Sequence, residues 1–306
     1  MSVSDVPARL LPVAWSLLAA VELVLLGCSG ASDEAGAVRR ARASGDECES
    51  AECRLEALAR DDPGTTDSRW QVHLTASFRI FHFDAASAAR VGLAAEAIRT
   101  RQLREWLGAA HHTAWSPRCD IYLFPTTRVL VQMSGRDAKA GSASAQHARL
   151  TRGRMLTRRL NLAGDDAHLL RATLPHEISH VIVTELLEGK RVPLWAHEGL
   201  AVLAEPGDAS RRRYAEILDE FLARKQTFPV SALLEMSRYP DEEFNSLFYA
   251  QSVSLTRFFL ARGGQALFLR FLRAAPAGRA EAAIREHYAI DGLLELQRQW
   301  LAFARS

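Results

Sequence analysis

Charge of one sign and cysteine are both scarce in this chain, and each shortage narrows what the chain can be. The 38 Lys and Arg nearly balance the 36 Asp and Glu, so the formal net charge is only +2 over 306 residues. A nucleic-acid binder would show a strong basic excess, and no nucleic-acid partner is expected. There are only four cysteines. Cys48 and Cys53, in "CESAEC", are close enough for a small disulfide in an oxidising compartment. Cys119 lies in the apolar run "CDIYLF", where a buried, inert thiol is expected. No internal repeat is seen. What is present is ordinary: 48% hydrophobic and 24% charged residues, enough to bury the core of one large or two small domains.

Long apolar runs are also scarce, and the exception is at the N-terminus. Arg9 precedes "LLPVAWSLLAAVELVLLG" (Leu10 to Gly27), followed at once by Cys28. The run reads as an export segment over residues 1–27. Its end, "LLGC", resembles a bacterial lipoprotein box, which implies cleavage before Cys28, a lipid anchor on that cysteine and a place in the cell envelope. Glu22 inside the run and Asp5 before it keep open a retained single-span anchor. Residues 28–68 are rich in Ala, Gly, Ser, Asp, Glu and Arg with few large apolar residues, as in a solvated tether.

From residue 69 the pattern is that of a folded domain. "WQVHLTASFRIFHF" alternates and is rich in aromatics, giving one or two strands. A helix is expected over Ala85 to Leu107 with Gly108 as its stop, and a strand over Cys119 to Thr126. A loop is expected over Gly135 to Ala145 and a strand over Arg154 to Ala163. After Glu205 the chain reads as mostly helical, with amphipathic runs at Arg211 to Arg224, Leu247 to Arg262, Gln265 to Ala274 and Gly292 to Phe303. The fold class expected is α+β, with a small mixed sheet and helices over about 69–185 and a helical part over about 186–306.

The chemistry concentrates in "LPHEISHV" (Leu174 to Val181). Positions four apart on a helix lie within about 40° of each other, so His176 and His180 can bind one ion. Glu177 sits beside the first histidine, where a carboxylate can reach a metal-activated water. This is the H-E-x-x-H pattern of zinc metallopeptidases. The apolar neighbours Leu174, Ile178, Val181, Ile182 and Val183 would bury the helix, and Pro175 suits its first turn. A third ligand is required. Eighteen positions after His180 comes Glu198, in "LWAHEGLAVLAE".

At that point the sequence resembles the gluzincin metallopeptidases, in particular the peptidase MA-like group of exported bacterial proteins. Trp195, Glu198, Gly199, Leu200 and Ala201 match the pattern that opens the second helix of that group. The resemblance implies one zinc per chain held by His176, His180 and Glu198, Glu177 as general base, and a protein or peptide substrate. It covers roughly Trp70 to Arg305, since "FRIFH", "CDIYLFPT" and "YAQSVSLTRFFL" follow the family order. It also implies a tyrosine or histidine donor for the oxyanion, for which Tyr249 is the candidate by position and Tyr239 the substitute. Packing in the helical core is the other reading of Tyr249.

Other readings of these residues remain open. His197 is metal-competent and adjoins Glu198, although it projects about 100° away. Glu205 reads as a supporting or surface carboxylate. A metzincin would need Gly at 183 and His at 186, where the chain has Val183 and Leu186. If "RMLTRRLNLA" is an edge strand, Arg158 and Arg159 either border a cleft in which a peptide pairs with the strand or form a solvated, protected edge. His111 and His112 read as loop residues. The alternative to an enzyme is an envelope lipoprotein that binds zinc or peptide without catalysis.

Overall fold

The first two strands of the domain pair with each other, and the alternation of the second supplies the apolar face that is buried. β1 (Gln71–Leu74) and β2 (Phe78–His82) form an antiparallel hairpin, and β2 turns Phe78, Ile80 and His82 inward. The computed structural model describes residues 70–108, 113–134, 143–151, 154–188, 190–275 and 279–306, all within one compact unit, Cys48–Ser306. The export segment, Cys28, the tether, Cys48, Cys53, His111 and His112 lie outside the described residues.

Helix α1 (Ala85–Leu107) has the expected bounds. Asp84 caps its start by accepting from the Ser87 amide at 2.7 Å. Gly108, at φ 75°, ends it, its amide bonding the Arg104 carbonyl. Its buried face runs through Ala88, Val91, Gly92, Ala95, Ile98, Arg99, Gln102 and Leu103, at helical spacing. β3 (Cys119–Phe124) follows, then α2 (Thr127–Ser134), β4 (Ala143–Thr151) and β5 (Arg154–Ala163). The five strands form one mixed sheet in the order β1-β2-β3-β5-β4, parallel across β2, β3 and β5 and antiparallel at both ends. Cys119 is fully buried, and burial pushes its thiol pKa far up, so it is inert as expected.

Two expectations are corrected here. The small polar residues before Arg154 suggested a loop through Ala145, but Ala143 to Thr151 pair with β5 and supply the edge of the sheet. β5 is therefore an interior strand. Arg158 shares the inward face of β5 with Leu160 and Leu162 and is buried, so it lies at no free strand edge, whether one open to a pairing peptide or one facing solvent. Arg159, on the opposite face, lies 4.0 Å over the Tyr122 ring.

Beyond the sheet the chain is helical: α3 (Leu174–Leu186), α4 (Leu194–Ala204), α5 (Ala209–Ala223), α6 (Val230–Glu235), α7 (Glu242–Ala274), α8 (Ala280–Tyr288) and α9 (Leu293–Ala304). The two runs expected on either side of residue 264 form one long element that kinks at Gly264, whose φ is 65°. The α+β class holds, with a small mixed sheet in the N-terminal part and a mostly helical C-terminal part. One hydrophobic core joins them, from Phe78 and Ile121 through Ile178 and Trp195 to Phe259 and Trp300.

Candidate metal centre

The sheet delivers the chain to the site through a short, tightly bonded turn. After Ala163 a π-helical turn at Leu169–Thr173 runs directly into α3. Asp166 holds it by accepting from the His168 amide at 2.8 Å and the Thr173 hydroxyl at 2.5 Å. α3 is buried on nearly every side, with Leu174, Ile178, Val181, Ile182 and Val183 at 1% exposure or less. Gln102 of α1 donates to the Pro175 carbonyl at 2.8 Å and fixes the first turn against the sheet side. The site residues therefore sit on a helix that cannot shift without disturbing the core.

α4 crosses α3 and brings the third group. Its approach to α7 is closer than a side chain would allow. A Cβ on Gly199 would lie 2.2 Å from the Thr256 hydroxyl and 2.6 Å from the Ser252 carbonyl oxygen. Trp195, fully buried against Phe259 and Phe268, anchors the start of α4. Arg101 of α1 donates to the Ala204 carbonyl at its end. The Trp, Gly and Ala of the "WAHEGLA" segment thus act by packing, and they set Glu198 over α3.

His176, His180 and Glu198 converge: one donor atom from each lies within 4.8 Å of the others, and they are the group of this kind found among the described residues. Glu198 Oε2 lies 3.4 Å from His176 Nε2, and Oε1 lies 3.8 Å from His180 Nε2. Donors around a tetrahedral zinc stand about 3.3 Å apart, so this spacing fits a metal with little adjustment. Glu205 accepts from His176 Nδ1 at 3.1 Å and from the Ser210 hydroxyl at 2.5 Å. That orients Nε2 towards the cluster in the carboxylate–histidine pattern that supports metal ligands. The supporting reading of Glu205 fits this position.

The electrostatics favour a cation. Burial works against a charge on His176, but its contacts with Glu198 and Glu205 and the nearby Glu177 outweigh it and push its pKa up to about 10. Burial likewise opposes the charge of Glu198, yet its bonds with His176 and Tyr239 hold it below the usual carboxylate range. Glu177, Glu198 and Glu205 therefore surround the two imidazoles with excess negative charge, which a divalent ion would neutralise.

The other candidates fall around this core. Tyr239 donates to Glu198 Oε1 at 2.5 Å. The position of Tyr239, in the short segment between α6 and α7, gave no periodic signal pointing to the site. Tyr249, on α7, stacks between Tyr239 and Tyr214. Burial first, and the Glu198 charge second, push both phenols up, so both remain protonated donors. His197 is turned away from the cluster, its ring 4.1 Å from that of His180 and its Nε2 3.5 Å from the His180 carbonyl.

Residues 159–306 match the profile of the Peptidase MA superfamily. The matched span runs from β5 to Ser306 and includes α3 and α4 with the three converging side chains. It supports a peptidase-like enzyme, with protein or peptide as the substrate that such a fold suggests. No curated protein matches the chain.

Proposed function

We propose that this protein is a zinc metallopeptidase, and the convergence of His176, His180 and Glu198 on one point carries that reading. Those three side chains would hold the ion and leave a fourth position open. Zinc, when bound, supplies a Lewis acid and lowers the pKa of a coordinated water towards neutrality. Glu177, next to the first histidine and buried beside the cluster, takes the proton of the attacking water and passes it to the leaving amine. Tyr249, with Tyr239 between it and Glu198, is assigned as donor to the developing oxyanion. An extended peptide would pair with the outer edge of β4, the strand that runs beside α3. We further assign the protein to the bacterial cell envelope, held by a lipid on Cys28. That assignment rests on the "LLGC" segment alone.

Glu177→Gln tests the mechanism. It should keep metal content and thermal midpoint while lowering peptide hydrolysis by about 10²- to 10⁴-fold. Full activity in that variant would end the general-base assignment. In the same assay Tyr249→Phe should lower kcat and leave KM nearly unchanged. An unchanged kcat would return Tyr249 to the packing role.

A further inference from the structure

Behind the C-terminal half of α3, among the described residues, lies a cavity of about 360 Å³. That is near the lower end of the roughly 300–1,000 Å³ typical of small-molecule sites. Two buried arginines line it, Arg99 of α1 at 5% exposure and Arg158 of β5 at 3%, together with Glu185 of α3. Both guanidiniums lie over the Trp115 indole, at 4.7 and 4.9 Å from the ring centre. One carboxylate against two guanidiniums leaves the pocket one positive charge in excess.

The two arginines are not equally satisfied. Arg158 donates to the Pro117 carbonyl at 2.6 Å and to Glu185 Oε1 at 2.9 Å, so its charge is paired. Arg99 donates to the Thr113 carbonyl at 2.5 Å. The Nε of each arginine lacks a hydrogen-bond partner, so what sets Arg99 apart is the missing ion pair. Among the described residues no carboxylate lies within ion-pairing distance of Arg99. A nearly buried cation with no direct ion pair is costly, and burial pushes its pKa down, although the more distant charges of Glu96 and Glu185 partly oppose the shift. The remaining walls are apolar, from Leu103, Leu107, Ile182 and Leu186.

We propose that this cavity binds a small organic monocarboxylate, its carboxylate paired with Arg99 and its apolar body lying along Trp115 and Ile182. A planar carboxylate matches the guanidinium fork. A dianion such as phosphate suits the pocket less, because its second charge would face Glu185. Ile182, Glu185 and Leu186 belong to the helix that carries His176 and His180, so an occupant also braces that helix.

The test is calorimetric titration of the full chain with phenylacetate, alongside the neutral phenylacetamide and inorganic phosphate. Phenylacetate should bind saturably at one per chain, about tenfold or more tighter than the amide or phosphate. Arg99→Met should weaken phenylacetate binding by about tenfold or more while leaving the ligand-free thermal midpoint unchanged or raised, since the apolar stem remains and an unpaired charge is gone. Absence of phenylacetate binding, equal binding of the amide, preference for phosphate, or a fall in the ligand-free midpoint of Arg99→Met would each overturn the proposal. Should Arg99→Met not fold, Leu107→Trp at the half-exposed rim decides. Loss of phenylacetate binding supports the site, and undiminished binding overturns it.

Discussion

The two ends of α3 face opposite electrostatic surroundings. At its N-terminal end Glu177, Glu198 and Glu205 gather around two histidines. At its C-terminal end Arg158 pairs with Glu185, Arg99 lies beside it, and Arg273 donates to the Leu186 carbonyl at 2.6 Å. The helix dipole favours this arrangement, since the N-terminus attracts carboxylates and the C-terminus attracts cations. The ends differ in what they lack. The acidic end has carboxylates to spare and is suited to a metal cation, whereas the basic end has more guanidiniums than carboxylates and is suited to an anion. One buried helix can hold both because its apolar faces, not its charged ends, fix it in the core.

The largest expected effect breaks the acidic end by packing alone. Gly199→Ala places a methyl group against the Ser252 carbonyl, which is backbone and cannot rotate aside. The variant should lose about 1–3 kcal/mol of stability from overpacking and, with Glu198 displaced, most of its metal. Thermal midpoint and metal content check both parts, and a Gly199→Ala chain with unchanged metal content would show that α4 does not need its close approach to α7. Glu205→Gln is milder. It leaves the three converging groups in place but weakens the support of His176, and metal affinity measured by chelator competition should fall about 10- to 100-fold. Unchanged affinity would make Glu205 a bystander at that end.

Much of this contrast was legible before folding, and the limits have physical causes. His176, Glu177 and His180 announce themselves because helical spacing alone puts both histidines on one face. Glu198 needed its flanking Trp195 and Gly199, whose role in drawing α4 onto α7 became visible only in the packing. The helices at Ala85–Leu107 and in the C-terminal part were readable from their apolar stripes. β4 was not, because its small polar residues carry little strand preference and its pairing with β5 is what makes it a strand. Treating β5 as an edge then misplaced Arg158, although the alternation of Arg158, Leu160 and Leu162 marks one inward face. The Arg99 and Arg158 pocket joins residues 59 positions apart, from α1 and β5, and no local pattern predicts such a meeting.

A smaller, independent effect should appear away from both ends. His82 is buried on β2, and burial, with His73 nearby, lowers its pKa below 6.5 while Asp84 partly opposes the shift. As pH falls, the unfolded chain therefore takes up this proton first. The stability that a neutral His82 contributes is complete above about pH 6.5 and is lost progressively below it. His82→Gln should flatten that part of the decline in denaturation midpoint between about pH 7 and 5. An identical decline in parent and variant would place the titration elsewhere.

The central claim is that the acidic end of α3 is a three-ligand zinc site. Elemental analysis of the purified protein, with Glu198→Ala alongside it, tests this most directly. About one zinc per chain in the parent, falling sharply in the folded variant, is the predicted result. A folded parent that takes up no zinc on reconstitution, or a variant that keeps its full complement, would contradict it.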